Sequence, residues 1–318
     1  MSVAQTGGRS LGVAEARRAV EGLEVVVPAS ISNLGAGFDA LAVAVQLFLR
    51  VTVRHVDDSE RNELRSHFGG LRLEGDDYVA RSVRLLAARE ALDFPALDIE
   101  ISSDIPMQAG LGSSAAATVA GLLVYDALAG AAGRDLIAEG TALESHPDNI
   151  VAAMLGGLAS GCVCEDGRVL ATSTPWPERL RFVTATPEAR VKTPEARGVL
   201  PESYSRADAI FNLQRVALLL QSLQAGRFDL LGEALRDRWH QPYRAALVPG
   251  LAEALALEHP DLVGVCLSGS GPTVVALCAG ETAGVEAAIT GLYTRLGIPC
   301  RIRVLSAHNA PASRTTTS

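Results

Sequence analysis

The chain has 318 residues, 48% of them hydrophobic, and a net charge of −8, with Lys192 as its single lysine and the arginines dispersed. This composition suits one large or two intimately packed domains, and it lacks the basic stripe that binding a nucleic-acid backbone requires. Five cysteines, an odd number without metal-ligand spacing, read as reduced thiols, and no secretory apolar region opens the chain, so a cytoplasmic location is expected.

Residues 1–22 read as a polar extension with a short helix over 13–20. A first strand is expected over 24–27, followed by a turn-rich loop over 28–39. Within it Gly35-Ala36-Gly37-Phe38-Asp39-Ala40 matches the dinucleotide fingerprint G-x-G-x-x-A, and Asp57 and Asp58 stand where a ribose-binding acid belongs. The context opposes that reading. Seven loop residues separate the strand from the first glycine, and the apolar run 40–49 passes into the alternating strand 51–56 without a helix stop. Residues 61–75 read as loop and hairpin, 77–91 as a helix and 97–101 as a strand.

That strand feeds Pro106-Met107-Gln108-Ala109-Gly110-Leu111-Gly112-Ser113-Ser114-Ala115-Ala116, which opens an Ala-rich helix over 115–129. The string reads as a phosphate cradle. Its glycines permit positive-φ turns that aim successive N–H groups at one anion, and a helix N-terminus adds about half a positive charge. Ser113 and Ser114 supply hydroxyls to a phosphate or its Mg²⁺. No lysine follows, so the Walker pattern is excluded. Residues 109–133 carry one charge, Asp126, but they are built from Ala, Gly and Ser, which indicates a buried helix and not a membrane span.

A second helix over 134–144 breaks at Ser145-His146-Pro147-Asp148-Asn149, and hairpin-like strands follow at 158–164, 168–173 and 180–185. The Pro-containing segment 172–178 is the expected boundary between halves. Beyond it come helices near 194–200, 206–224, 229–239 and 251–258, strands over 262–267 and 273–278 around Ser268-Gly269-Ser270-Gly271-Pro272, a helix over 282–296 and a strand over 300–305. Residues 307–318 read as a disordered tail.

Three motifs, residues 28–39, 106–116 and 267–273, resemble in order and content those of the GHMP small-molecule kinases, over nearly the whole chain from Val25 to Leu305. Glu144-Ser145-His146-Pro147-Asp148-Asn149, Lys192-Thr193-Pro194-Glu195-Ala196-Arg197 and His240-Gln241-Pro242-Tyr243-Arg244 resemble the branch of that family acting on homoserine. The resemblance implies an α+β architecture of two domains, a ribosomal S5 domain 2-like N-terminal domain over 23–174 that binds ATP and a ferredoxin-like α+β C-terminal domain over 175–306, flanked by the extension 1–22 and the tail 307–318. It implies ATP-dependent phosphorylation of the L-homoserine side-chain hydroxyl in threonine biosynthesis, with L-threonine as a possible feedback inhibitor and a homodimer as a possible assembly.

The residues carry the same chemistry read alone. With no cradle lysine, a divalent ion is needed; Ser114 and Glu144 are the plausible oxygen ligands, and Glu139 is the alternative to Glu144. Arg197 and Arg244 are planar donors suited to a carboxylate, while Asp39, helped by Asn33, can receive an ammonium, a combination that fits a zwitterion. Asn149, an amide, cannot act as a base and is read as orienting the acceptor hydroxyl. His146 has the titration range of a base, whereas the resemblance implies substrate contact, which it implies for Thr193 and Gly269 too. Another small-alcohol acceptor, such as mevalonate or a diphosphocytidyl-erythritol, and a noncatalytic nucleotide or metabolite binder remain the alternatives.

Overall fold

The computed structural model describes residues 19–69, 77–130, 133–189 and 191–316. Most of the expected helix over 13–20 lies outside them; its last residues, Ala19 and Val20, are helical, and Val20 is fully buried.

The larger sheet grows around an antiparallel pair, β1 (Leu23–Ser32) and β2 (Leu41–Arg61). Periodicity ends the first strand at Val27 because Pro28 cannot donate to a ladder. The register shifts between Pro28 and Ala29, and this bulge lets the strand continue to Ser32. β2 takes the apolar run and the strand expected after it as one 21-residue element. β3 (Leu64–Phe68) forms within the segment expected as loop and hairpin, whose residues 70–75 lie outside the described ones, and runs parallel to β4 (Pro95–Ser103), with α1 (Tyr78–Glu90) between them in the chain. β4 pairs with the far part of β2, and β5 (Leu158–Val163) with its start, while β6 (Val169–Thr174) completes a hairpin with β5. An antiparallel β1–β2 pair with no intervening helix is incompatible with a dinucleotide-binding βαβ unit.

α2 (Ser113–Leu128) is buried behind this sheet, and α1 crosses it where a Cβ on Gly121 would stand 2.5 Å from the Val79 carbonyl oxygen. α3 (Leu136–Glu144) is capped by the Asp135 carboxylate on the Ala138 N–H. α4 (Asp148–Leu155) begins before Ile150, with Pro147 at its N-cap and the Asp148 carboxylate accepting the Asn149 N–H, so Asn149 lies on the first helical turn.

A four-stranded antiparallel sheet follows, in the order β10-β7-β9-β8, from β7 (Leu180–Pro187), β8 (Leu262–Leu267), β9 (Val274–Ala279) and β10 (Cys300–Leu305). The helices of this half are α5 (Thr193–Gly198), α6 (Arg206–Ala225), α7 (Leu231–Ala234), α8 (Gln241–Arg244), α9 (Leu251–Leu255) and α10 (Ala283–Arg295). The helix expected over 229–239 is instead a 3₁₀ turn followed by the single turn α7. Asp237 accounts for the stop: its carboxylate accepts the N–H groups of Trp239, His240 and Gln241 and so starts α8. One core unites the sheets, with Phe182, Val275 and Leu305 in the same buried cluster as Val27, Val51 and Leu122.

The expected disordered tail is a strap. Ala307 bridges Val45, the Ala312 N–H reaches the Met154 carbonyl, and β11 (Ser313–Thr316) pairs with β1. Its polar composition hides this role, because the strap is held by backbone hydrogen bonds and an Arg314–Asp126 ion pair of 2.7 Å more than by burial. Among the described residues no helix is long and apolar enough to cross a membrane.

Candidate active site

A cavity of about 870 Å³ opens between the end of β1, the start of α2 and α4, α5 and the glycine-rich turn after β8. Gly110 and Gly112 have φ of 74° and 70°, and no side chain caps α2. The groups that open the helix, Ser113, Ser114 and Ala115, line the cavity, leaving a helix N-terminus to meet an anion. Met107, Gln108, Gly110 and Gly112 line it too, whereas Pro106 and Ala109 line a second cavity of about 400 Å³ on the other side of the loop. Leu111 and Ala116 point into the core. Those four side chains therefore shape the loop without lining the main cavity.

The cradle is backed by the second half of the molecule. Ser268 Oγ donates to the Gly110 carbonyl at 2.6 Å, and a Cβ on Gly110 would lie 2.4 Å from the Ser268 carbonyl oxygen. Gly269 approaches the same loop, its hypothetical Cβ 3.2 Å from the Gly110 oxygen. Glycine alone fits at 110, while at 269 a side chain would be crowded and held at a positive φ of 56°.

Behind the cradle, Glu144 at the end of α3 accepts from Ser114 Oγ at 2.8 Å and from Thr118 Oγ1 at 3.0 Å. Ser114 and Thr118 are one helical turn apart, so both hydroxyls face the same carboxylate. Glu139, the alternative, points to an ion pair with Arg89. Hard oxygen donors beside an anion cradle fit Mg²⁺, which takes few protein ligands.

Asn149 is nearly buried, and its amide is fixed from β1. Ser30 Oγ donates to Oδ1 at 2.7 Å, and Nδ2 donates to Ser32 Oγ at 3.1 Å. Gly112 is held against this pair, since a Cβ there would stand 2.2 Å from Ser30 Oγ and 3.1 Å from Asn149 Oδ1. Both serines lie in the 28–39 motif without a role assigned there, although polar residues at alternate positions of an otherwise apolar strand are a period-two signal.

The charged groups assemble opposite. Arg197 of α5 makes a two-pronged pair with Asp39, at 3.0 Å and 2.9 Å. Both side chains are partly exposed, and such pairs contribute about 0.2–1 kcal/mol, little enough for a ligand to displace. Arg244 is only 2% exposed and is largely committed: Nε donates to the Ala196 carbonyl, and Nη1 to the Gly269 carbonyl and His240 Nδ1. Burial and the charge of Arg197 push its pKa down to about 10, so it stays cationic at neutral pH. Asn33 is committed as well, donating to the Gly269 carbonyl and accepting the Asp39 N–H.

Because Arg244 can only donate, His240 Nδ1 accepts, and the Nε2–H donates to the Gly35 carbonyl at 2.8 Å. Burial, and then the Arg244 charge, hold this histidine below its usual pKa against the opposing pull of Asp237. Its ring stacks on Phe38 at 5.2 Å, and Phe38 lies beneath both guanidinium groups. Phe38 and His240 thus form an aromatic floor that no candidate-residue pattern had singled out; the four-residue spacing of His240 and Arg244 is its trace in the sequence.

His146 is bonded to Asp148 at 2.7 Å. Burial lowers its pKa, but the Asp148 hydrogen bond and charge, with Asp39, outweigh burial and raise it overall. Asp39, His146 and Asp148 bring donor atoms within 4.8 Å of one another, an electron-rich corner suited to a cationic head group. Thr193 lines the same wall. Among the residues with positive φ that are not glycine, Asn33 (71°), Asp39 (55°), Gln108 (53°) and Ser145 (69°) line the cavity, the pattern of strain held at a functional site.

The GHMP kinases N terminal domain model matches residues 77–157, and the GHMP kinases C terminal model matches 219–289. A homoserine kinase of Thermus thermophilus is 40% identical over 295 residues, covering 91% of this chain and 93% of that protein. The chain belongs to the homoserine kinase family of GHMP kinases. A second family member, from Moorella thermoacetica, is 36% identical over 289 residues, covering 90% of this chain and 97% of its own. The crystal structure of homoserine kinase from Cytophaga hutchinsonii superimposes with a TM-score of 0.79 at 25% identity, covering 93% of this chain and 98% of that one. The two-domain GHMP kinase fold, expected from the motifs, is the fold observed.

Proposed function

We propose that this family member transfers the γ-phosphoryl group of ATP to the side-chain hydroxyl of L-homoserine, giving O-phospho-L-homoserine for threonine synthesis. The observation that carries the reading is a single cavity holding a helix-N-terminal anion cradle at one wall and the Asp39, Arg197 and Arg244 charges at the other, with the fixed amide of Asn149 between. The nucleoside end is the apolar surface of Leu49, Phe68, Tyr78, Ile101 and Ile105. The phosphates lie along Met107, Gln108, Gly110, Gly112, Ser113 and Ser114.

Phosphoryl transfer through a loose transition state depends on alignment and charge neutralisation more than on deprotonation. Asn149, with both amide atoms oriented from β1, directs the acceptor oxygen. Ser114 and Glu144 would hold Mg²⁺, which would supply charge neutralisation on the transferring group. Asp39 with His146 takes the ammonium, Arg197 and the uncommitted Nη2 of Arg244 the carboxylate, and Thr193 and the Gly269 backbone complete the acceptor wall. His146, its Nδ1 bonded to Asp148 and its ring beside Asp39, is assigned to the acceptor's head group.

L-threonine carries the same head group as L-homoserine, so competitive inhibition by threonine belongs to this reading, as do a cytoplasmic location and a homodimer. Initial rates of ADP release with Mg·ATP and L-homoserine, D-homoserine, L-threonine, mevalonate or galactose test it. Selective turnover of L-homoserine is expected, by roughly 10⁴-fold over acceptors lacking a charged partner. Preference for mevalonate or galactose would remove the assigned roles of Asp39 and Arg197. ATP binding without turnover of any of them would favour a noncatalytic binder.

A further inference from the structure

The groups assigned to the two ends of the acceptor are bound to each other. Arg197 presents Nη1 and Nη2 to the two carboxylate oxygens of Asp39, at 3.0 Å and 2.9 Å, so the planar fork that suits a carboxylate is already filled. Arg244 cannot stand in for it, because its Nε and Nη1 are held by Ala196, Gly269 and His240. A free carboxylate reaching this corner finds the two-pronged fork of Arg197 occupied by a like charge, Asp39, and only the single Nη2 of Arg244 uncommitted. The backbone holds the arrangement: Asp39 sits at φ 55°, its N–H fixed to Asn33 Oδ1, and Phe38 lies 5.7 Å beneath the Arg197 guanidinium.

We infer that the Asp39–Arg197 pair is a latch opened by the ammonium of the acceptor. An incoming ammonium gives Asp39 a replacement cation, with His146 and Asp148 adjoining, and the released Arg197 fork takes the acceptor carboxylate. The two recognition events are therefore coupled, and by linkage the coupling is reciprocal: ammonium binding strengthens carboxylate binding and the reverse. A hydroxy acid without the ammonium loses more than one contact, since it must compete with Asp39 for Arg197. This inference rests on the kinase reading above and specifies how that site rejects half-matched alcohols.

The test compares wild type and Asp39→Asn with L-homoserine and with 4-hydroxybutyrate, its analogue lacking the ammonium. Asp39→Asn is expected to lower kcat/KM for homoserine about tenfold to a hundredfold. It should raise kcat/KM for 4-hydroxybutyrate about two- to fivefold above wild type, the size set by a partly exposed ion pair. An unchanged or lower value for 4-hydroxybutyrate would overturn the latch. Ethylammonium chloride added to the wild type tests the same coupling without a mutation: it should tighten 4-hydroxybutyrate binding in calorimetry, with sodium chloride at equal ionic strength as the screening control. No tightening, or tightening matched by sodium chloride, would overturn it. Failure of the wild type to turn over homoserine bears on the kinase reading, whereas the calorimetric coupling reads the latch alone.

Discussion

The two walls of the cavity are built by opposite strategies. The phosphate-facing wall is one contiguous loop and the helix it opens, residues 107–115, made from backbone turns at Gly110 and Gly112 and two serine hydroxyls. The acceptor-facing wall gathers Asn33, Asp39, Asn149, Arg197, Arg244 and Gly269 from both halves of the chain, with Asp39 paired to Arg197 and both Asn33 and Arg244 donating to the Gly269 carbonyl. A backbone-made wall tolerates no added atom, and a side-chain-made wall tolerates partial loss. Substitutions in the first are therefore expected to be more damaging than in the second.

Gly112→Ala tests the stricter wall and carries the largest expected effect. Its Cβ would stand 2.2 Å from Ser30 Oγ and 3.1 Å from Asn149 Oδ1, at a φ of 70°. Displacing both the helix N-terminus and the amide that directs the acceptor is expected to lower kcat about a hundredfold or more, read by steady-state kinetics. A kcat within a few-fold of wild type would dissolve the contrast between the walls. Arg197→Ala tests the other wall: kcat/KM for homoserine falls about tenfold to a hundredfold while ATP affinity, read by fluorescent-nucleotide titration, stays unchanged. Equal loss of both would make Arg197 a structural residue.

A smaller effect sharpens the role of the floor beneath the arginines. His240 is held neutral by burial and by Arg244, so its folded pKa lies below that of the unfolded chain. The unfolded chain then binds a proton that the folded one does not, and this contribution to stability is lost as pH falls below about 6.5. His146, with a raised pKa, acts in the opposite sense, favouring the folded state at low pH and losing that contribution as pH rises. The two are separated with His240→Asn: the difference in Tm between wild type and variant should narrow from pH 7.5 to pH 5.5. A constant difference would show that the His240 proton plays no part. The smallest effect is Ser145→Gly, which relieves a left-handed φ of 69° at the C-cap of α3 and is expected to add at most about 1 kcal/mol, measured by thermal denaturation.

The same contrast decides what was legible in the sequence. The cradle could be read because its function lies in local spacing: two glycines, two serines and a helix start need no distant partner. The fold followed from ordered motifs, yet the strap over residues 307–316 was missed, since its pairing with β1 and Val45 is made by backbone groups that no side-chain pattern records. Asp39, Arg197 and Arg244 could be named as charges for a zwitterion, but the pairing of Asp39 with Arg197 exists only after the two halves meet, and the commitment of Arg244 to three partners only after its own half folds. Ser30 and Ser32 were hidden because Pro28 ends the apparent strand before them. The positive φ of Ser145 at the C-cap of α3 likewise leaves no trace in the sequence, since serine is not the residue such a cap favours.

The central claim is that one cavity aligns the acceptor hydroxyl of L-homoserine with the γ-phosphate of ATP. Phosphorus NMR of the products formed from Mg·ATP and L-homoserine by the purified protein tests it most directly. A phosphomonoester on the homoserine side-chain oxygen, formed mole for mole with ADP, is the result predicted. ADP formed without that ester, or an ester formed in preference on mevalonate or galactose, would contradict it.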